Sequence, residues 1–194
     1  MKPVPQRAAM RQIDQLADTY ARAFVDDPMI RWPMTPSAGL SECTALFRIL
    51  LESYLELGVV WQLGDCVATA SWLPPAATAK FADIDLAMRS HVKVFTVDDG
   101  RRYGQFWDWI TSKLPDEPCW FLDMIAVHPD HQGQGMGGEL IAHGLDLARA
   151  DGLPAVLETS QHRNVGYYQR FGFDVVAEEQ APDGGPMIWF MRHS

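Results

Sequence analysis

Residues Val127-His128-Pro129-Asp130-His131-Gln132-Gly133-Gln134-Gly135-Met136-Gly137-Gly138 lie between an apolar run, 120–127, and an amphipathic run, 139–150. No other stretch restricts the fold as strongly. An apolar run of strand length leads into a glycine-rich loop, and the loop leads into a helix. Glycines reach positive φ and let a ligand approach the main chain. The free N–H groups at the helix start, with the helix dipole, favour an anion. The arrangement predicts a cradle for a phosphate-bearing ligand.

The rest of the chain supplies a sheet and helices to hold that cradle. Met10, Ile13, Leu16, Ala17, Tyr20 and Phe24 fall at helical spacing within 8–24. Residues 26–33 read as a loop with a short helical turn, bounded by Pro28 and Pro33. A helix over 46–57 is expected to end at Gly58. The β-rich runs 58–63 and 67–73 flank Gly64-Asp65, a hairpin signal. Residues 77–113 read as mostly helical, with a break near Asp98-Asp99-Gly100. Strands are expected at 119–127, 155–160, 172–177 and 187–191, with a short helix at 164–171. A chain of 194 residues suits one domain. Early strands, a central βαβ unit and a closing hairpin predict a mixed sheet with helices on its faces.

The formal net charge of −9 argues against nucleic acid as a partner and favours a cationic one. Cys43, Cys66 and Cys119 are widely spaced and form no C-x-x-C. That usage fits a reduced intracellular protein with no disulfide framework and no zinc site. The first residues lack the apolar core of a signal peptide. No apolar run approaches the ~20 residues that span a bilayer. The chain therefore reads as soluble and cytoplasmic, with no membrane partner.

Two phosphate-binding patterns overlap in the loop. Gly133, Gly135 and Gly138 match G-x-G-x-x-G, and Glu158 follows at a strand end, as in a dinucleotide site. Five polar residues, His128 to Gln132, separate the strand from the first glycine, where that fingerprint has almost none. Too little chain follows Gly138 for the remainder of a doubly wound sheet. No Gly-Lys-Ser/Thr is present, which excludes a Walker loop. The second pattern is Q/R-x-x-G-x-G/A, met by Gln132, Gly135 and Gly137. It is accompanied downstream by Asn164-Val165-Gly166-Tyr167-Tyr168-Gln169-Arg170-Phe171-Gly172-Phe173.

Together these two segments resemble the paired signatures of the GNAT N-acetyltransferase superfamily. Ala23-Phe24-x-Asp26-x-Pro28, Val60-Trp61, Glu117-Pro118-x-Trp120-Phe121-Leu122 and Leu157-Glu158-Thr159-Ser160 extend the likeness towards members such as puromycin N-acetyltransferase. The likeness is weakest over 76–114 and lies mostly in cofactor-side segments, so it does not name puromycin as substrate. It implies the GNAT fold, α+β, with a mixed, centrally splayed sheet of about seven strands and helices on both faces. It implies one acetyltransferase domain over 1–194, with a cofactor-binding core at about 119–180 and acceptor-side elements at about 20–115. The implied cosubstrate is acetyl-CoA, with no metal.

The resemblance also distributes roles. The pantetheine arm would lie along the strand edge at Ile125, Ala126 and Val127, like an added strand. The pyrophosphate would meet the N–H groups of Gln132, Gly133, Gln134, Gly135, Met136, Gly137 and Gly138. Asn164 would bond the cofactor, or cap the short helix. Tyr168 fits the tyrosine that protonates the departing sulfur, with a structural tyrosine as the alternative. Tyr167 is read as core or cofactor wall. Many members carry an asparagine where Gln161 stands here.

Attack by an amine on a thioester needs the amine stripped of its proton. Three acids are candidates for the base, Asp123, Glu158 and Asp27, with a water relay as the alternative. By strict alternation Asp123 shares a face with Ile125 and Val127. Glu158 ends the adjacent strand, and Asp27, beside Asp26, lies in a loop expected to wall the acceptor site. His128 and His131 lack a third ligand and read as loop residues. Trp32 and Trp107 fall in segments expected around the acceptor. The expected acceptor is a primary amine of a small molecule. Acetylation of a protein or peptide, a non-catalytic acyl-CoA sensor and a homodimer all stay open.

Overall fold

The computed structural model of the chain describes residues 4–194, apart from the side chains of Ala82, Asp85 and Ala87. The strands are β1 (Gln6–Arg7), β2 (Val60–Leu63), β3 (Ala68–Leu73), β4 (Trp120–Val127), β5 (Ala155–Thr159), β6 (Asp174–Gln180) and β7 (Met187–His193). The helices are α1 (Ile13–Phe24), α2 (Pro28–Arg31), α3 (Leu40–Leu57), α4 (Pro75–Thr78), α5 (Phe81–Val92), α6 (Arg101–Thr111), α7 (Met136–Asp151) and α8 (His162–Gln169). The seven strands form one sheet in the order β1-β2-β3-β4-β5-β7-β6. The pair β4/β5 is parallel, and every other neighbouring pair is antiparallel. The expected mixed α+β architecture is present.

The parallel ladder is short. It couples Trp120, Phe121 and Leu122 to Ala155, Val156 and Leu157. Past Leu157, Glu158 and Thr159 pair only with Phe190 and Trp189 of β7. The strands splay there, and the second half of β4 keeps an open edge. On its other side β4 pairs with β3 across a bulge, where Ser71 faces Met124 and Trp72 faces Leu122. Asp123 is the extra residue. A bulge shifts alternation and bends the strand. Trp120, Leu122, Ile125 and Val127 therefore face α7, whereas Phe121, Met124 and Ala126 face α1 and α3. Strict alternation put Asp123 on the face of Ile125 and Val127. The bulge removes it from that face and turns its carboxylate to α3.

Helices cover both faces. On one face Leu16, Tyr20, Phe47 and Leu51 of α1 and α3 pack against Phe121 and Met124. On the other, Leu140, Ile141 and Leu145 of α7 pack against Trp72, Leu122 and Leu157. Each large apolar side chain buried this way stabilises the fold by about 1.5–3 kcal/mol. Helix α3 starts six residues before the expected helix, at Leu40. The N–H of Gly39 donates to the Glu42 carboxylate at 2.8 Å, so local capping carries the helix through the polar stretch Ser41-Glu42-Cys43-Thr44. Strand β6 runs to Gln180, beyond the expected 177, as a largely exposed edge whose polar residues hid it. Among the described residues, no helix is long and apolar enough to cross a membrane.

Candidate active site

The glycine loop connects β4 to α7 through Pro129–His131, a 3₁₀ turn. Gly133 and Gly135 adopt φ of +76° and +82°, where a side chain would be strained. Gly135 thereby turns the chain into α7, whose first N–H groups have no partner within the helix. The Gln132 side chain reaches back and donates to the Val127 carbonyl at 3.2 Å. That bond braces the loop against the end of β4. Gly137 leaves room for the Tyr167 hydroxyl, 3.0 Å from where a Cβ would stand. Gly138 instead packs under Phe171 and does not line the groove described next.

That groove holds about 860 Å³ and follows the open edge of β4. Gln132 to Gly137 form one end, with Arg163 and Tyr167 of α8, Arg170 just after it and Arg22 of α1 around it. Arg170 also stacks over the Tyr167 ring at 4.9 Å. The His128 N–H donates to the Val67 carbonyl at 2.8 Å. Main-chain direction alternates along a strand. Ala126 thus also turns its peptide groups to β3, and Ile125 and Val127 turn theirs to the open edge. Of the three strand residues expected to bind with main chain, Ala126 is the exception.

A second cavity, about 110 Å³, lies where β4 and β5 part. Helices α3, α5 and α6 enclose it with Phe47, Leu50, Phe81, Met88 and Trp107. Phe24, Asp27, Ile125, Asn164 and Tyr168 line both the cavity and the groove, so the two spaces meet at these residues. Trp107 is in the cavity wall as expected. Trp32 is not; its ring is occupied by the Arg102 guanidinium at 4.4 Å.

The three acids differ in state. Asp123 accepts a hydrogen bond from the Tyr54 hydroxyl at 2.9 Å. Burial pushes its carboxyl up to about 7, and the Tyr54 bond only partly opposes that. Glu158 is pushed well above the carboxylate range by burial and then by the charge of Asp123. Both acids line the cavity, and Glu158 also borders a recess beside Lys113 and Arg192. Asp27 caps α2, accepting from the Met29 N–H and the Ser160 hydroxyl, each at 2.9 Å. Burial raises its pKa, against those bonds, Gln161 and the charge of Arg163. Its lone pairs tie the α1–α2 loop to the end of β5, so it is a clamp at the junction and not a free base.

Asn164 lies in the first turn of α8, whose N-cap is Gln161. The capping alternative for Asn164 therefore falls, and the residue lines both spaces. Tyr168 is buried, and burial followed by the charges of Tyr167, Glu158 and Asp27 raises its pKa. Among the described residues its hydroxyl has no hydrogen-bond partner. The His128 Nδ1 accepts from the Asp130 N–H within its own turn.

A phosphate-suited loop, an open strand edge and an acid-lined cavity are joined at one tyrosine. Residues 59–173 match the Acetyltransferase (GNAT) family, more than half of the chain. The chain belongs to the GNAT family.

This acetyltransferase is 24% identical over 182 residues to an uncharacterized N-acetyltransferase of Schizosaccharomyces pombe, covering 87% of this chain and 73% of that one. A Corynebacterium glutamicum structure, described as histone acetyltransferase HPA2 and related acetyltransferase, superposes with TM-score 0.72 at 24% identity. That match covers 99% of this chain and 96% of the other. A polyamine N-acetyltransferase of Drosophila melanogaster superposes with TM-score 0.65 at 13% identity, over 98% and 99% of the two chains. Both structural likenesses carry the fold. Family membership makes the protein an N-acetyltransferase, and the family uses acetyl-CoA.

Sequence reasoning missed Tyr54, Ser160, Arg163 and Arg170 as site residues. Arg163 and Arg170 carried a signal, since basic residues at both ends of the segment that follows Gln161 favour an anion. Tyr54 carried only its place on the apolar stripe of α3 with Phe47 and Leu50.

Proposed function

We propose that this GNAT enzyme transfers an acetyl group from acetyl-CoA to a primary amine of a small molecule, by direct attack in a ternary complex. The observation that carries the reading is the meeting of the groove and the acid-lined cavity at Tyr168, Asn164 and Ile125. The loop and the arginines Arg163 and Arg170 hold the diphosphate, and the open edge at Ile125 and Val127 holds the pantetheine arm. Asp123, with Glu158 beside it, takes a proton from the bound ammonium. The freed lone pair attacks the thioester carbonyl, whose oxygen the Ile125 N–H polarises. As the carbon–sulfur bond breaks, Tyr168 gives its proton to the sulfur, and the second proton that the attacking nitrogen loses in becoming an amide returns, through water, to the phenolate. Glu158 also borders a recess of about 230 Å³ beside Lys113 and Arg192, which offers the abstracted proton a way out.

Direct transfer is favoured over an acyl-enzyme because Cys43, Cys66 and Cys119 are buried and line neither space. Enclosure of the cavity by three helices favours a small acceptor over a peptide, which needs an open groove. The test is thiol release from acetyl-CoA with a panel of small amines and lysine peptides, with the products weighed by mass spectrometry. N-acetylated small amines are expected. Acetylation of peptides alone would sink the small-molecule reading.

A further inference from the structure

The acceptor cavity is apolar around its walls and acidic at one end. Leu46, Phe47, Leu50, Phe81, Met88 and Trp107 form the walls. Among the described residues, its charged groups are Asp27, Asp123 and Glu158. Asp27 is already held by Met29, Ser160 and the field of Arg163. That leaves Asp123 and Glu158, which repel each other and share the end nearest Ile125 and Tyr168. Two like charges in so buried a place do not both form near neutrality, so the pair carries at most one negative charge. It is the counter-charge for one ammonium.

Size narrows the ligand further. A volume of about 110 Å³ is nearer the ~150 Å³ cavity that holds one benzene ring than the ~300–1,000 Å³ of drug-sized sites. A second ammonium or a set of hydroxyls reaching the α3–α5–α6 walls would be stripped of water with little to replace it, the Tyr103 hydroxyl and the Trp107 indole N–H among otherwise apolar side chains. An aromatic ring or branched alkyl group would instead fit against Phe47, Phe81 and Trp107.

We infer that the acceptor is a compact hydrophobic monoamine, an arylalkyl- or branched alkylamine with a single cationic group, and that polyamines and aminoglycosides are rejected. The inference rests on the proposed small-amine acetylation and specifies its substrate class. Its recognition is divided in space. The Asp123–Glu158 end fixes the amine beside the thioester, and the α3–α5–α6 walls select the side chain.

The test compares kcat/KM for phenylalkylamines and branched alkylamines with that for linear polyamines, aminoglycosides and a lysine peptide. Hydrophobic monoamines are expected to exceed the others by about 100-fold. Met88→Trp, which fills the cavity, is expected to raise KM for phenylalkylamines about 10-fold while sparing the shortest alkylamines. Acetyl-CoA affinity by calorimetry should stay unchanged in that variant, which shows that it folds. Equal or higher kcat/KM with a polyamine or aminoglycoside overturns the inference and leaves small-amine acetylation standing. A lysine peptide as the best acceptor, or no acetylated amine despite bound acetyl-CoA, overturns both.

Discussion

The Tyr54 hydroxyl donates to the Asp123 carboxylate at 2.9 Å, across the space between α3 and the bulge of β4. The bond favours the charged acid, so it opposes the burial that raises Asp123 to about 7. If Asp123 is the base, kcat/KM should rise with pH through an apparent pKa near 7. Tyr54→Phe removes the opposing bond. The rising limb should then move to higher pH, with activity lost at pH 7 and recovered in part about two pH units higher. An unmoved limb in the pH–rate profile would separate Asp123 from the titration.

The same acid costs stability. Its folded pKa lies near 7 against an ordinary value of 3.8, so the folded state keeps a proton that the unfolded chain releases. Stability therefore falls as pH rises between those two values and is level above them. Asp123→Asn keeps an acceptor for Tyr54 and carries no charge. It should stabilise the protein at pH 8 by about 1–3 kcal/mol, a figure reduced for the carboxylate's access to cavity water. It should also lower kcat/KM by about 100-fold or more. Urea titrations at pH 5 and pH 8, paired with steady-state kinetics, check both signs.

Tyr168 should behave differently. Its hydroxyl faces the junction with no partner among the described residues, so removing it breaks no internal bond. Tyr168→Phe should leave Tm and acetyl-CoA affinity nearly unchanged. It should lower kcat by about 100-fold, the scale of a lost general acid. Burial raises its pKa, so no alkaline limb below pH 10 should be traced to it. Wild-type kcat in the variant would mean that water protonates the sulfur.

Those residues were unequally legible in the sequence. The loop around Gly133 and Gly135 and the helix bearing Tyr168 were visible because each combines its chemistry with local spacing. The splay was not. It depends on where the β4/β5 ladder stops, and parallel pairing across a helix leaves no local signal. The bulge at Asp123 was hidden for a similar reason: Trp120 to Val127 reads equally well with or without an extra residue. Tyr54 sits 69 residues from Asp123, and nothing in either segment announces the bond. Asp27 could not be sorted from the sequence, because a capping aspartate and a catalytic one look alike before a proline.

The phosphate end of the groove yields a prediction in which geometry and charge separate. A Cβ at Gly135 meets nothing within 4 Å, so Gly135→Ala would be strained only by its φ of +82°. That strain should cost about 1–2 kcal/mol of stability. Because the same residue aims the first N–H groups of α7, acetyl-CoA affinity should fall about 10-fold. Arg163→Ala and Arg170→Ala should weaken binding about threefold each, with no stability loss on that scale. Their effects should shrink at high salt, whereas the Gly135 effect should persist. Calorimetric titrations at low and high salt distinguish the two.

Gly144 sits against Trp72, and a Cβ there would lie 1.9 Å from the ring. Trp72 has no room to retreat: it is fully buried, and its indole N–H donates to the Leu140 carbonyl one turn earlier on α7. Alanine is the better helix former by about 1 kcal/mol, yet that gain is overrun by the clash. Gly144→Ala should cost about 3 kcal/mol and push α7 away from β3, carrying the glycine loop with it. Trp72→Phe shortens the ring system and should restore part of the loss in the double variant, a coupling that distant sites would not show. Urea unfolding of the two single variants and the double variant measures that coupling. Strict additivity would place the two residues out of contact.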